Sequence, residues 1–529
     1  MSNAYESAAA LRPHHLEPTD LRQLVRSFSL VPAPGTSQED TAGVMVTGVS
    51  VDSGDVAPGE LFVGLPGFKV HGASFAAQAV EAGAVAVVTD SQGAHLAAGL
   101  LGTPVLVHED PRALVGPLSQ EVYHHPAEHL TTTAVTGTNG KTTTSYFLDA
   151  MLAAHLGGCM VAGTVELRVG GTSVESPRTT VEAPVLARMM ALAVEEGVGA
   201  ASLEASSHAI VLHRLDGVIF DVVGFTNLQR DHLDFHKTME GYLEAKSRLF
   251  TPDHARSAVV CVDDRWGASL ARTASAAGLE VERVRAYPGD AECDWWVSDA
   301  AVSLAEAATT FTLHGPGAQE ISASCPLPGL VNVQNAALAL VMAIRAGVPA
   351  PTAVAALAGA HNIPGRMQRV SQRDGTRGLC IVDFAHTPDA MELALEAVRP
   401  ITPGRLIVVF GSDGDRDQGK RPMLGEVCAR LADVLVVTDE NPRSEDPQLI
   451  RNAILDGVRS VRPDLENVEE ITTWRGDAVR RGVELCGPDD TVIVTGKGHE
   501  PFLEMAGDFI RYNDAPVMAE AVEEKWGRG

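Results

Sequence analysis

Thr133-Ala134-Val135-Thr136-Gly137-Thr138-Asn139-Gly140-Lys141-Thr142 is the stretch on which the reading of this chain turns. Thr133 to Val135 has the composition of a buried strand, Gly137 and Gly140 mark a turn, and Thr142 to Ala154 reads as the helix that follows. A glycine-rich turn between a strand and a helix lets backbone N–H groups surround an anion, and the helix N-terminus adds partial positive charge. The side chains specify a nucleoside polyphosphate: Lys141 reaches the outer phosphates, and Thr142 offers its hydroxyl to Mg²⁺. Only Thr138 and Asn139 separate Gly137 from Gly140, a shorter spacer than the common phosphate-loop pattern has.

Working outward, strands and helices alternate on both sides of this loop. Before it, Val44–Val51, Leu61–Leu65, Ala84–Val88 and Leu101–Val107 read as strands and Phe75–Ala82 as a helix, preceded by a polar arm to about residue 40. After it come strands at Ala200–Leu203, Val218–Phe225, Phe225–Leu228 and Ser257–Val262. A polar β-rich stretch (283–325), a turn at Leu327-Pro328-Gly329 and an Ala-rich helix Val333–Ala346 follow. A third block has strands at Gly378–Asp383, Arg405–Phe410, Val434–Thr438 and Thr491–Thr495, with helices between, the rhythm of an open doubly wound sheet. The expected fold class is therefore α/β in three domains: 1–128, a central P-loop-type ATPase domain at 129–364, and a Rossmann-like doubly wound domain at 365–529.

Composition bounds the function. The net charge of −27 and the lack of a basic patch argue against a nucleic-acid partner. No apolar run reaches the ~18 residues of a membrane span, and no basic-then-apolar leader is visible, so the expected setting is cytoplasmic with no stable membrane insertion. The 7 cysteines form no Cys-x-x-Cys pair, which suits free thiols in a reducing compartment.

Three further residues are candidates, two of them just past strand ends, where open α/β sheets bind ligands. Glu204 ends the strand Ala200–Leu203 and is a candidate Mg²⁺ ligand; its bland alternative is a surface acid. His232 lies in Arg230-Asp231-His232-Leu233-Asp234, just past the next strand. Lys246 falls in the helix Tyr242–Phe250 and, taken alone, reads as a solvated face residue.

Taken together, these segments resemble the Mur ligases. The run Thr136 to Thr144 matches that family's phosphate loop, and Glu204-Ala205-Ser206-Ser207-His208, Thr226-Asn227-Leu228, Asp231-His232-Leu233-Asp234 and Ala245-Lys246 match further motifs in order. Pro328-Gly329 with Asn332 and Asn335, Pro364-Gly365-Arg366-Met367 and Asp383-Phe384-Ala385-His386-Thr387-Pro388 match as well. The likeness spans about residues 45 to 515 and is strongest to the branch that adds the third amino acid of the peptide stem. It implies an ATP-dependent acid–amino-acid ligase of peptidoglycan synthesis that extends UDP-N-acetylmuramoyl-L-alanyl-D-glutamate through an acyl phosphate. The partners implied are small molecules (the UDP-sugar dipeptide, a diamino acid and ATP), and the protein would be a monomer.

By the same resemblance, Thr136, Gly137, Thr138, Asn139, Gly140, Lys141, Thr142 and Thr143 bind ATP phosphates, and Asn332, Asn335, Arg366 and Asp383 its adenosine. Lys141, Glu204, His232 and Lys246 carry the chemistry. Thr142 and Glu204 hold one Mg²⁺, and Glu204, His232 and an N6-carboxylated Lys246 hold another; carboxylation turns a cation into an anionic oxygen ligand of the kind hard metals prefer. Ser53, Thr179, Thr180, Ser206 and Arg214 are implied for the UDP-sugar peptide.

Glu440-Asn441-Pro442-Arg443 resembles a motif of the enzymes that add meso-diaminopimelate: Arg443 would clamp the distal carboxylate, and Glu500, beyond Gly496, would take the distal ammonium, with Arg416 near the reacting carboxylates. Some lysine-adding relatives keep this arginine, so L-lysine is the alternative. A folylpolyglutamate-type ligase fits less well, because that family lacks a first domain of this kind. Gly54, His71, Gln368, Phe384, Ser412-Asp413 and Glu440 depart from the family pattern; Glu440 stands where the diaminopimelate motif has Asp.

Overall fold

The computed structural model describes residues 10–100, 102–304, 307–360 and 363–527. The chain forms two compact units: Met1–Trp295 with Leu338–Ala356, and Trp296–Ala337 with Leu357–Gly529.

The first unit begins with a parallel sheet of β1 (Gly48–Ser50), β2 (Glu60–Gly64), β3 (Ala86–Thr89) and β4 (Val105–Val107), side by side in chain order. Val49, Leu61, Val63, Val88 and Leu106 bury one face under Leu114, Leu118 and Val122 of helix α1 (Pro111–Val122). Phe62, Val87 and Val105 bury the other against Ala76, Ala79 and Ala94. Burial on both faces explains why these strands read as apolar runs rather than alternations. Helix α1 starts where Asp110 accepts hydrogen bonds from the N–H groups of Arg112 and Ala113, with Pro111 at its first position.

The same unit contains a second sheet, which positions the phosphate loop. Strands β5 (Thr131–Thr136), β6 (Cys159–Ala162), β7 (Ala200–Glu204), β8 (Phe220–Phe225) and β9 (Ala255–Cys261) lie parallel in the order β6-β7-β5-β8-β9. Strand β5 is flanked by β7 and β8, with Glu204 opposite Val135 and Phe225 opposite Thr136. That register delivers Glu204, the phosphate loop and the segment after Phe225 to one edge of the sheet. Glu166–Val169 and Thr172–Glu175 form a hairpin on β6.

In the second unit, Trp295–Ser303, Ala308–Gly315 and Gln319–Cys325 form an antiparallel meander. Strands β10 (Leu379–Val382), β11 (Leu406–Phe410), β12 (Val434–Val437), β13 (Val468–Glu470) and β14 (Thr491–Val494) lie parallel in the order β10-β14-β11-β12-β13, with Gln368–Ser371 antiparallel at the edge. Val382, Val409, Val436 and Val494 pack on Ala478, Val479, Val483 and Met518, while Ile381, Val408, Leu435 and Ile493 are buried on the opposite face. This is the doubly wound sheet expected.

Some local expectations are corrected. The N-terminal arm is not loose throughout: helix Leu21–Ser27 buries Leu21 and Leu24, and Thr19–Asp20 pairs with Met45–Val46. Strand β8 ends at Phe225, so Thr226 to Leu228 is loop, where it can bond the phosphate turn. Leu101 lies outside the described residues. Among the described residues no helix is long and apolar enough to cross a membrane, and the 7 cysteines are free thiols.

Candidate active site

The phosphate loop leaves β5 at Thr136 and enters helix α2 (Lys141–Leu156) through Gly140. Gly140 has φ 88°, a left-handed conformation that an L side chain resists. Gly137 has φ 151°, and a Cβ there would lie 1.9 Å from Thr226 Oγ1, so both glycines are structurally required. The segment after β8 holds the loop from outside. Thr138 N–H donates to the Asn227 carbonyl at 3.0 Å. Asn139 N–H donates to Asn227 Oδ1 at 3.0 Å, and Thr226 Oγ1 donates to the Asn139 carbonyl at 2.6 Å. Lys141 folds back, its Nζ donating to the carbonyls of Gly137 (3.1 Å) and Thr138 (2.9 Å). Thr143 is buried on the first turn of α2.

Glu204 is 1 % exposed. Its carboxylate accepts from Thr142 Oγ1 at 3.0 Å, Thr164 N–H at 2.7 Å and Thr164 Oγ1 at 2.9 Å. Among the described residues no cation pairs with it, although a buried carboxylate ordinarily requires one. Lys246, on helix α4 if Ala183–Glu195 is counted as α3, lies in Met239–Ser247 and is not a solvated face residue. It is 1 % exposed; its Nζ donates to the Gly137 carbonyl at 2.8 Å and sits 4.5 Å from the centre of the Tyr242 ring. Burial, reinforced by the charge of Lys141 and opposed by Asp231, drives its ammonium form well below the ordinary lysine range.

His232 has φ 52° and a half-exposed ring whose Nε2 lies 3.4 Å from Asp231 Oδ2. Burial lowers its basicity, Asp231 opposes this, and His208, Lys141 and Lys246 add to the lowering, which places His232 in the same electrostatic neighbourhood as both lysines. The ring of His208 stands edge-on to His232 at 5.0 Å, and His236 stacks on Tyr242 at 4.8 Å while bonding Ser207 Oγ at 2.8 Å.

Thr180, Ser206 and Arg214 gather beside Glu204. Thr180 Oγ1 donates to the Glu204 carbonyl at 2.7 Å and accepts Ser206 N–H at 3.0 Å, and an Arg214 Nη donates to the Thr180 carbonyl at 3.1 Å. Thr179 Oγ1 accepts from Thr164 at 3.2 Å. Ser53 is linked to them through Glu182, which pairs with Arg214 at 3.0 Å. It bonds Gln78 at 3.2 Å and lines a cleft of about 340 Å³ with Asp52, Asp55, Phe75 and Glu182. The sequence reading missed Thr164; no motif marks it, and the hairpin after β6 brings it to Glu204.

The second unit holds the remaining candidates. Asn332 and Asn335 are buried on the first turns of Leu330–Arg345; Asn332 Nδ2 donates to the Pro328 carbonyl at 2.8 Å, and Asn335 Oδ1 accepts nothing. The Arg366 guanidinium stands 4.4 Å over the Phe384 ring. Asp383 accepts N–H bonds from Met367 and Ala385, each at 2.8 Å, and burial raises its pKa.

Beyond β12, Glu440 and Asn441 are buried. Asn441 Oδ1 accepts from Lys497 Nζ at 3.0 Å, and its Nδ2 donates to Glu500 Oε2 at 3.2 Å, which also pairs with Lys497 at 3.1 Å. Arg443, following Pro442, has φ 56° and an ion pair with Glu504 at 2.9 Å. Gly496 packs against Glu440, with a Cβ there falling 2.6 Å from Oε2. Arg416 is exposed, away from these contacts. Lys497 and Glu504 were not singled out from sequence; their partners lie 56 and 63 residues away from them along the chain at Asn441.

Comparison with known proteins gives three matches to family models: the Mur ligase family catalytic domain (residues 45–118), the Mur ligase middle domain (135–343) and the Mur ligase glutamate ligase domain (365–498). The chain is 40% identical over 516 residues to the UDP-N-acetylmuramoyl-L-alanyl-D-glutamate–2,6-diaminopimelate ligase of Streptomyces avermitilis, covering 98% of this chain and 99% of that one. It is 44% identical over 515 residues to the UDP-N-acetylmuramyl-tripeptide synthetase of Leifsonia xyli, covering 96% of each. A solved UDP-N-acetylmuramoyl-L-alanyl-D-glutamate–2,6-diaminopimelate ligase superposes with TM-score 0.65 at 31% identity, over 91% of this chain and 95% of that one.

Proposed function

The chain belongs to the Mur ligase family of ATP-dependent, amide-bond-forming enzymes, and on that premise we propose that it adds the third amino acid, meso-diaminopimelate, to UDP-N-acetylmuramoyl-L-alanyl-D-glutamate. The observation that carries this reading is the extent of the likeness to ligases bearing that name, over nearly the whole chain. In the proposed division of labour, 1–128 holds the UDP end, 129–364 the ATP and the reacting carboxylate, and 365–529 the incoming amino acid.

A carboxylate is a poor electrophile until one oxygen becomes a leaving group. Transfer of the terminal phosphoryl group of ATP to the substrate carboxylate supplies that leaving group as phosphate. The amine of the amino acid then attacks the acyl carbon, forming the amide, with ADP and phosphate as the other products. The protein's part is positioning and charge compensation. The loop amides from Gly137 to Thr142 cradle the phosphates. Lys141, which donates to the carbonyls of Gly137 and Thr138, turns to the phosphates instead. Thr180, Ser206 and Arg214 orient the acceptor carboxylate beside Glu204.

Mg²⁺ suits the donors present. Among the described residues no three His, Cys, Asp or Glu side chains converge, yet a buried Glu204 without a cation and the Thr142 hydroxyl bonded to it are hard oxygen donors. Thr142 and Glu204 would hold one Mg²⁺, and Glu204, His232 and Lys246 a second, which would neutralise phosphate charge when bound. Lys246 enters as N6-carboxylysine: burial favours the neutral amine, the form that adds carbon dioxide, and the product is an oxygen ligand. Asn332, Asn335, Arg366 and Asp383 take the adenosine. Arg443 takes the distal carboxylate of diaminopimelate, and Glu440, Asn441 and Glu500 line its pocket, with Arg416 near the reacting groups.

The test is phosphate release. It should require ATP, Mg²⁺, the UDP-sugar dipeptide and meso-diaminopimelate together. Release that ignores the dipeptide or the amino acid would make the protein a simple ATPase.

A further inference from the structure

Two loops of the second unit are fastened to each other at the amino-acid pocket. Gly414 N–H donates to the Asn441 carbonyl at 2.8 Å, and a Cβ on Gly414 would lie 1.9 Å from the Pro442 carbonyl oxygen. Arg421 donates to the Asp413 carbonyl at 3.1 Å and grips both Glu445 oxygens at 2.9 and 2.8 Å. Glu445 in turn accepts Asp415 N–H at 2.6 Å, and the Asp415 carboxylate accepts Ser444 N–H at 3.1 Å. The backbone at Asp413 is therefore held, and its side chain lies within ion-pair range of Arg443.

The charges there do not close on themselves. Asp413 Oδ1 lies 3.7 Å from an Arg443 Nη, within ion-pair range and beyond a hydrogen bond, and among the described residues it is buried without a donor. Glu440 is 3 % exposed, and its Oε2 is likewise buried without a donor. Burial pushes the Glu440 carboxyl up to about 8, and Asp413 is the strongest like charge acting on it, with Glu500 adding to the effect. The nearby cations are engaged elsewhere. Arg443 pairs with Glu504 at 2.9 Å, Lys420 donates to the His386 carbonyl at 3.1 Å, and Arg475 pairs with Asp514 at 2.8 Å. Two orphaned buried acceptors on separate loops, one of them beside an arginine already compensated by Glu504, describe a receptor for a compact cation with several donors. An alkylammonium has three N–H donors and no acceptor.

Resting on the ligase reading of this pocket, we propose that Asp413 is a specificity-determining residue: with Glu440, it accepts the distal ammonium of the incoming diamino acid beside Arg443. Glu500 is less available for that task, because its Oε2 already accepts from Lys497 and Asn441. The two halves of the pocket then read two different groups. Arg443 reads a distal carboxylate, and the Asp413–Glu440 pair reads a distal ammonium. L-Lysine offers only the ammonium, so it depends on Asp413 more than meso-diaminopimelate does.

Asp413→Asn in the full chain tests this, by steady-state phosphate release at saturating ATP and UDP-sugar dipeptide. L-Lysine is read as a substrate, or as a competitor of meso-diaminopimelate where its turnover is slow. The apparent constant for L-lysine should rise about tenfold, the value of one charge-assisted hydrogen bond, and the preference should move toward diaminopimelate while the KM for ATP stays unchanged. A preference unchanged within about twofold, or moved toward lysine, overturns the assignment. If Asp413→Asn does not fold, Asp413→Gly removes the same carboxylate and is read the same way. A wild-type protein that turns over neither amino acid overturns the ligase reading and this proposal together; an active wild type with an unmoved preference overturns Asp413 alone.

Discussion

The phosphate loop and the amino-acid pocket both place charged side chains in buried surroundings, but they hold them differently. In the loop, lysine amines are held by main-chain oxygens: Lys141 by the carbonyls of Gly137 and Thr138, Lys246 by that of Gly137. In the pocket, side chains hold each other. Arg443 stands between Glu504 and Asp413, and Lys497, besides donating to the Phe502 carbonyl at 2.6 Å, joins Asn441 to Glu500. A backbone cradle depends on local geometry, so it is rigid, sequence-encoded and intolerant of substitution. A side-chain network depends on charge balance, so one new carboxylate can retune it without altering the fold.

The largest expected effect lies on the loop side. Lys246→Ala should lower turnover by about a thousandfold or more, the scale of losing a group that organises phosphoryl-transfer charge, and formate or another small carboxylate should partly restore it. A folded variant that no carboxylate rescues would break the carboxylysine assignment and leave Lys246 a purely structural amine. An intermediate effect is expected in the pocket. Arg443→Ala should raise the KM for meso-diaminopimelate by about ten- to a hundredfold, as for loss of a charged hydrogen-bond pair, with the KM for ATP little changed. A loss confined to ATP affinity would remove Arg443 from the amino-acid pocket.

The smallest effect is a pH dependence. The Glu440 carboxyl is raised in the folded state to about 8 from an ordinary 4.5. Between those values the folded chain binds the extra proton, so this group's contribution to stability is fully present below pH 4.5, falls as pH rises, and is lost above about 8. Glu440→Gln should flatten the fall of Tm with pH across that window. An unchanged slope would mean that Glu440 ionises normally and that Asp413 does not press on it.

The difference between the two regions also explains what was legible in the sequence. The strand, turn and helix around Gly137 could be read because hydrophobic period, glycine placement and capping are local properties, and the doubly wound sheet followed from uninterrupted apolar strands such as Leu406–Phe410 and Val434–Val437. Short or exposed elements were missed: Cys159–Ala162 follows two glycines, and Thr172–Glu175 is largely exposed, so neither has a strong period. Lys246 looked like a surface lysine because helical periodicity alone does not reveal that Gly137 receives its amine. Thr164 and Glu504 gave no warning, since their partners are brought to them by tertiary folding: Glu204 is 40 residues from Thr164, and Arg443 is 61 residues from Glu504; Asp413 stood out only as a departure from the family pattern, with no partner indicated.

The central claim is that ATP activates the substrate's carboxylate before the amino acid arrives. The most direct measurement uses UDP-N-acetylmuramoyl-L-alanyl-D-glutamate carrying heavy oxygen in its terminal carboxylate, with ATP, Mg²⁺ and meso-diaminopimelate, followed by mass analysis of the phosphate released. Transfer of one labelled oxygen into phosphate for each amide formed is the result an acyl phosphate requires. Unlabelled phosphate alongside normal amide formation would contradict the mechanism and require another route of activation.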